Sequence, residues 1–182
     1  MDAIPPLAAL GPRIMVCGPS NAGKSTLAAA LAQALGVPAI YLDVLAHQPH
    51  TSWVRQPPEV FEALHADAIA GPHWVIEGNY MGMLQTRMAR ATGIILLGTG
   101  RWAALTRYVR RTLFETRRIG SKLEKGQDRL NWEMVHFIMV EQPRKRQRDV
   151  DLLTATGLPM VKLDSMAELK QLYAAWRLSR PR

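Results

Sequence analysis

Short apolar runs alternate with longer amphipathic stretches along the whole chain. Five runs have the length of strands and are bounded by glycine, proline or charged residues: 13–17, 38–42, 73–77, 93–97 and 159–163. The stretches between them predict helices at 24–35, 57–71, 84–89, 102–119, 130–153 and 166–178. Strands that alternate with helices at these spacings predict a parallel sheet with helices on both faces. We therefore expect one α/β domain with a five-stranded sheet over residues 1–182, with residues 1–12 as a loose lead-in and an interruption of the fifth helix at Pro143.

The composition narrows the class of protein. Hydrophobic residues make up 48% of the chain and charged residues 21%, which is typical of a globular domain with a buried core. The single cysteine, Cys17, allows no internal disulfide, and no apolar run approaches the length of a membrane span. The first residues lack the basic start and long apolar segment of a signal peptide. These features predict a cytoplasmic protein that does not bind membranes.

The positive charge is concentrated in one part of the chain. The net charge is +8, and residues 101–148 hold 13 lysines and arginines against 5 acidic residues, so the remainder is neutral. Such a concentration favours a polyanionic partner, either nucleic acid or the phosphates of a nucleotide. A solvated basic helix face is the alternative interpretation.

One motif carries a specific chemistry. It follows the first predicted strand, opens the first predicted helix and matches G-x-x-x-x-G-K-[ST]: Gly18, Pro19, Ser20, Asn21, Ala22, Gly23, Lys24 and Ser25, followed by Thr26. Its glycines let successive backbone N–H groups point at phosphate oxygens, and the helix dipole favours the same anion. Lys24 can reach the β- and γ-phosphates, and the Ser25 hydroxyl can bind Mg²⁺. The motif therefore predicts a site for ATP, or another nucleoside triphosphate, together with Mg²⁺.

With this motif in place, the chain resembles the adenylate kinase-like branch of the P-loop kinases. Within it, the chain is most similar to small bacterial proteins known as adenylate kinase-related or DNA-topology-modulation kinases. The resemblance rests on the motif, on the segment 35–43 ending in Asp43, and on the segment Trp-Val-Ile-Glu-Gly-Asn-Tyr at 74–80. It implies a P-loop NTPase fold, with a basic mobile lid at about residues 115–130.

The resemblance also implies roles for individual residues. Asp43 would orient the acceptor hydroxyl or act as general base, and Glu77 would hold Mg²⁺ through water. Their alternative roles are a helix N-cap for Asp43 and a buried carboxylate bonded to the loop hydroxyls for Glu77. The other expected contacts divide between the acceptor, for which we expect Gly78, Asn79, Arg55 and Arg87, and the transferred phosphate, for which we expect Arg111, Arg117 and Arg118.

Two positions depart from the family pattern. Relatives commonly end the fourth strand in Leu-Asp, whereas this chain has Leu97 followed by Gly98 and Thr99. Adenylate kinase proper carries an arginine just after its third-strand glycine, whereas here none occurs until Arg87. The second departure argues against assigning AMP as the acceptor from the resemblance alone.

Two hypotheses of function follow. The first is a kinase that moves the γ-phosphate of ATP to a small acceptor, either a nucleoside monophosphate or a hydroxylated metabolite. The second is an ATP-binding, nucleic-acid-associated protein that uses the basic segment 101–148, and a polynucleotide 5′-hydroxyl kinase would lie between the two. The sequence favours the first hypothesis and leaves open the acceptor, the choice of ATP over GTP, and the oligomeric state.

Overall fold

The computed structural model describes residues 4–51, 53–114 and 131–181, apart from the side chains of Arg111 and Phe114. Its five strands are β1 (Arg13–Cys17), β2 (Ala39–Tyr41), β3 (Trp74–Glu77), β4 (Gly93–Leu97) and β5 (Met160–Leu163). Its helices are α1 (Lys24–Leu35), α2 (Leu42–Ala46), α3 (Pro58–Ala70), α4 (Leu84–Met88), α5 (Arg101–Phe114), α6 (Trp132–His136), α7 (Gln142–Thr154) and α8 (Met166–Ala175).

The strands form one parallel sheet in the order β2-β3-β1-β4-β5. The central strands β1, β3 and β4 are apolar over nearly their whole length because parallel strands are buried on both faces. The register pairs Val16 with Glu77, and Tyr41 with Glu77, so the carboxyl ends of β1, β2 and β3 meet at one edge. In an open parallel sheet this edge is where ligands bind.

Two apolar layers cover the sheet. Alternate residues of β1 point to opposite faces, since successive side chains of a strand do so. Ile14 and Val16 pack in the layer that contains α1 and α8, whereas Met15 and Cys17 pack in the layer that contains parts of α3, α4 and α7. The expectation of a five-stranded parallel α/β fold with helices on both faces is confirmed.

Several predicted boundaries hold, and others shift. The predicted limits of β1, α1 and β4 agree with the structure, and α1 ends at Gly36 in the left-handed conformation that a helix C-cap favours. The second strand ends at Tyr41, two residues before Asp43, so the prediction that Asp43 terminates a strand is wrong. Asp43 lies in the first turn of α2, where its carboxylate benefits from the helix dipole.

The helix around Pro143 also differs from the prediction. Residues 132–154 are continuously helical, with a π-helical turn at Phe137–Glu141 between α6 and α7. Pro143 falls in the first turn of α7, just after that π turn, where the regular α-helical bonding has already been interrupted. The missing N–H of Pro143 therefore interrupts no regular α-helical hydrogen bonding. The predicted lid at 115–130 lies outside the described residues.

The described part of the lead-in is packed rather than loose. Residues Leu7–Leu10 form a 3-10 turn, Leu10 is buried, and the indole N–H of Trp176 donates to the carbonyl of Pro5 at 2.8 Å. Apolar residues in this segment extend the α1 side of the core. Within the described ranges, no helix combines the length and the apolar character that crossing a membrane requires.

We expect Gly93→Ala to destabilise the fold because the lead-in lies directly on β4. A Cβ at this position would stand 2.5 Å from the carbonyl oxygen and 2.7 Å from the Cβ of Leu10. Forcing such contacts apart typically costs about 1–3 kcal/mol, which urea denaturation would measure. The control is Gly100→Ala, whose Cβ would meet no atom within 4 Å. Equal stability of the two variants would contradict the packing described here.

Candidate functional site

A glycine-rich loop (residues 18–25) connects the carboxyl end of β1 to α1. Gly18 has φ of 138°, and a Cβ there would lie 2.4 Å from the carbonyl oxygen of Leu97. Gly23 has φ of 95° immediately before the helix. Because L-residues with side chains rarely adopt these angles, both turns require glycine. The predicted context of strand, glycine loop and helix is therefore present.

The loop leads directly into the N-terminus of a helix that has no capping side chain. The N-cap, Gly23, contributes no side-chain bond to the first turn of α1, which begins Lys24, Ser25 and Thr26. The ammonium of Lys24 folds back over the loop and donates to the carbonyl of Pro19 at 3.0 Å. Uncapped amides at a helix start, a helix dipole and an ammonium that lie together are suited to binding phosphate oxygens.

Glu77 joins this loop to the end of β3. Its side chain is 4% exposed, and its Oε1 accepts a hydrogen bond from the Ser25 hydroxyl at 3.0 Å. Burial raises the pKa of Glu77, and the negative charge of Asp43 adds to this, while the Lys24 ammonium and the Ser25 bond lower it. Keeping this carboxylate charged is therefore unfavourable in free energy, and a bound cation would offset that penalty.

The donor set of Ser25 and Glu77 fits Mg²⁺ by its chemistry. Mg²⁺ prefers oxygen ligands and usually takes one or two protein ligands, completing its shell with water and substrate phosphates. Within the described ranges, no group of three or more histidine, cysteine or acidic side chains is arranged to hold a metal on its own. One buried carboxylate beside a loop hydroxyl is suited to a metal that arrives with a nucleotide.

Asn79 links the segment after β3 to the glycine-rich loop. Its Oδ1 accepts a hydrogen bond from the Gly18 N–H at 3.0 Å. We predicted Gly78 and Asn79 as acceptor contacts, and the structure places them at the sheet edge, with the Asn79 side chain bonded to the loop. Asn79 thus connects the glycine-rich loop to the segment expected to meet an acceptor.

Asp43 faces the same segment from α2. The Tyr80 hydroxyl donates to Asp43 Oδ1 at 2.8 Å, and the backbone carbonyl of Asp43 is 2.8 Å from Nδ1 of His47. Burial raises the pKa of Tyr80 far above its ordinary value, and the nearby Asp43 carboxylate raises it further, so the phenol stays a donor. Sequence reasoning did not foresee this bond, for which neither the motif nor the spacing gave a signal.

The predicted arginines occupy different environments. Arg55 is exposed, and its backbone pairs with that of His47 in an isolated antiparallel β-bridge. Its positive charge partly offsets the rise in the pKa of Tyr80 that burial causes. Arg87 is fully buried behind the 78–80 segment, so in this structure its side chain is not presented to an acceptor. The side chain of Arg111, and the whole of Arg117 and Arg118, lie outside the described residues.

The space beside Gly98, the position after β4 where the resemblance led us to expect an acid, is filled by side chains of two other elements. Arg146 of α7 pairs with Asp164 after β5, with Nη2 and Oδ1 2.9 Å apart, and Lys162 lies 3.6 Å from the other oxygen. A Cβ on Gly98 would stand 2.6 Å from Asp164 Oδ1 and 2.7 Å from Arg146 Nη2. Gly98 therefore makes room for a charged pair beside the glycine-rich loop, which the sequence did not indicate.

Comparison with known proteins gives a similarity of fold. No family model matches the chain, and no curated protein matches it in sequence. Among solved structures, the chain is similar to a protein from Chloroflexus aurantiacus J-10-fl, named as "a putative kinase". The TM-score is 0.53 at 16% sequence identity, and the match covers 90% of this chain and 94% of the other. At that identity, the likeness shows the shared α/β fold.

We expect Glu77→Gln to be more stable than the unaltered protein near neutral pH. A glutamine keeps an oxygen for Ser25 and removes a buried charge, a gain of about 1–2 kcal/mol, or ~2–8 °C in Tm. Burial raises the folded-state pKa of Glu77 above its ordinary value of 4.5. The unaltered protein therefore loses stability as the pH rises from about 4.5 through the folded-state pKa, because the folded protein must then bury a charged carboxylate.

The advantage of the variant should therefore be present at about pH 7.5 and vanish below about pH 4.5. Thermal denaturation across this range, without added Mg²⁺ or nucleotide, measures it. Glu62→Gln, on the exposed face of α3, is the control and should show no such trend. A Glu77→Gln variant that is less stable at neutral pH would contradict the assignment of Glu77 as a carboxylate held at a cost.

Proposed function

We propose that this protein is a kinase of the adenylate kinase-like P-loop type that transfers the γ-phosphate of ATP to a small acceptor. The observation that carries the proposal is the bond between Ser25 and the buried Glu77, beside Lys24 at the start of α1. The fold it shares with the Chloroflexus protein supports phosphoryl transfer at a coarse level. The acceptor we propose is a nucleoside monophosphate or a hydroxylated metabolite.

Binding in this proposal divides between two sides of one sheet edge. The amides of the glycine-rich loop and the Lys24 ammonium hold the triphosphate. Ser25 and Glu77 would hold Mg²⁺, which neutralises charge on the phosphates when bound. On the other side, Asp43 and Tyr80 face the space where an acceptor hydroxyl would approach, with Arg55 as the nearby cation.

The reaction then needs few protein groups. With a hydroxylated acceptor, the hydroxyl oxygen attacks the γ-phosphorus, the bond from that phosphorus to the β-γ bridging oxygen breaks, and ADP leaves; with a nucleoside monophosphate, an oxygen of its phosphate attacks instead and no hydroxyl proton has to be removed. Asp43 accepts the proton of the hydroxyl, while Tyr80 donates to the same carboxylate and keeps it oriented. Positioning and charge neutralisation supply most of the rate in phosphoryl transfer. Arginines of the 101–118 region, Arg111, Arg117 and Arg118 among them, are proposed to complete the charge neutralisation.

Lys24→Ala tests the phosphate side. We expect ADP release from Mg-ATP in the presence of an acceptor to fall by about 100-fold or more, with the fold retained, because the ammonium no longer neutralises the transferring phosphate. The measurement covers nucleoside monophosphates, nucleosides, hydroxy acids and 5′-hydroxyl oligonucleotides. Lys170→Ala, an exposed lysine on α8, is the matched control. A release rate that Lys24→Ala leaves unchanged would contradict the proposal.

Asp43→Asn tests the acceptor side. With a hydroxylated acceptor, we expect turnover to fall by about 100-fold while ATP affinity changes less than about threefold, since an amide keeps the Tyr80 bond but cannot take the proton. Steady-state rates and ATP titrations of the same preparation separate the two effects. Asp67→Asn, on the exposed face of α3, is the matched control. Unchanged turnover in Asp43→Asn would show that another group serves the acceptor.

A second candidate function is favoured by the surface of α7. Arg144 and Arg148 are exposed on this helix, within the segment 101–148 that holds the whole basic excess. An ATP-binding protein that associates with nucleic acid would show binding that weakens steeply as salt rises. A transfer restricted to 5′-hydroxyl oligonucleotides would instead indicate a polynucleotide kinase. ATP binding without transfer to any acceptor, together with salt-sensitive DNA or RNA binding, would favour this candidate over the small-molecule kinase.

A further inference from the structure

Arg87, in the last turn of α4, is the largest charged side chain buried in the described part of the protein. It is 0% exposed, and its Nη2 donates to two consecutive backbone carbonyls, those of Asn79 and Tyr80, the second at 3.4 Å. One guanidinium thus fixes two neighbouring peptide units of the segment that follows β3.

These two residues reach opposite sides of the candidate site. The Asn79 side chain accepts from the Gly18 N–H at 3.0 Å, at the beginning of the glycine-rich loop. The Tyr80 hydroxyl donates to Asp43 Oδ1 at 2.8 Å. Tyr80 also has φ of 28°, an angle that side-chain-bearing residues rarely adopt without support from their surroundings. The bonds from Arg87 to both carbonyls provide such support.

The environment of Arg87 makes its burial energetically unfavourable, which argues against a purely structural role. Its Nε and Nη1 find no hydrogen-bond partner among the described residues, and burial lowers the pKa of the guanidinium. His65, buried beside it, also has no bonded ring nitrogen in the described part of the chain, and burial and then the Arg87 charge lower its pKa to about 4. An apolar side chain of similar length would fill this space without burying an incompletely bonded charge.

We propose that Arg87 is a positioning residue, which holds Asn79 against the glycine-rich loop and Tyr80 against Asp43, and so sets the distance between the phosphate and acceptor sides. It touches no substrate in this arrangement and acts through the two backbone carbonyls. The role in catalysis rests on the proposed kinase function, whereas the mechanical link from Arg87 to Gly18 can be tested without it.

Hydrogen exchange at the Gly18 amide, followed by NMR, reports this link. In Arg87→Met we expect exchange at Gly18 to become about tenfold faster, because Asn79 no longer holds its oxygen in place. Arg87→Lys keeps the charge, but its nitrogen lies one bond nearer the backbone than Nη2 and does not reach both carbonyls, so it should show the same change. A fall in Tm with the Gly18 amide unaffected, in either variant that folds, would overturn the proposal and leave Arg87 as an ordinary structural residue.

Arg90→Gln is the matched control. Arg90 likewise donates from one nitrogen to two consecutive carbonyls, those of Ala70 at 2.8 Å and Gly71 at 3.5 Å, away from the glycine-rich loop. Its loss should leave Gly18 exchange unchanged. In Asn79→Ala, where the Gly18 bond is already absent, adding Arg87→Met should accelerate Gly18 exchange no further. Additive effects of Asn79→Ala and Arg87→Met would contradict the link.

Steady-state kinetics test whether the connection from Arg87 to Gly18 matters for the proposed phosphoryl transfer. We expect Arg87→Lys to lower turnover by about tenfold and to weaken ATP binding by a smaller factor. The reason is that Asn79 and Tyr80 no longer hold the glycine-rich loop and Asp43 at a fixed distance from each other. If the unaltered protein transfers phosphate to no acceptor, the proposed function fails, while the exchange result stands or falls by itself. If transfer occurs and Arg87→Lys leaves turnover unchanged, the role of Arg87 in catalysis is wrong and the kinase proposal is unaffected.

Discussion

The site depends on a carboxylate that the fold keeps out of water. Glu77 ends the strand next to β1 and pairs in register with Val16 on one side and Tyr41 on the other, so its side chain emerges where three strand ends meet. The Ser25 hydroxyl, on the first turn of α1, bonds to it. Burying a carboxylate is unfavourable unless hydrogen bonds and opposite charge compensate for it. Glu77 therefore ties the position of the glycine-rich loop to the sheet, and leaves a negative charge that a cation can stabilise.

The segment after Glu77 extends this connection to the rest of the site. Asn79 bonds to the loop, Tyr80 bonds to Asp43, and Arg87 holds the carbonyls of both. The bonds of Asn79 and Tyr80 join elements that are distant in sequence but adjacent at the carboxyl edge of the sheet, whereas those of Arg87 are local. The loop, the Ser25–Glu77 pair and Asp43 are consequently parts of one hydrogen-bonded unit, in which two bonds separate Arg87 of α4 from Gly18.

The sequence predicted the parts of this unit that depend on local pattern. Apolar runs indicated the strands, and the glycines with Lys24 and Ser25 indicated the loop, because each requires particular residue types at fixed spacing. The contacts across the sheet had no such signal. Tyr80 meets Asp43 because α2 begins immediately after β2, and the Arg146–Asp164 pair lies against Gly98 because α7 places Arg146 beside the residues that follow β4 and β5. The burial of Arg87 near His65 of α3 depends on tertiary packing, which a single sequence does not display.

The measurement that tests the central claim most directly is a calorimetric titration of ATP with and without Mg²⁺. It compares the unaltered protein with Glu77→Gln. We expect Mg²⁺ to tighten ATP binding by about tenfold or more in the unaltered protein, and most of that gain to be lost in the variant, since the amide offers the cation no charge. The same dependence on Mg²⁺ in both proteins would contradict the claim that the Ser25–Glu77 pair receives a metal-bound nucleotide.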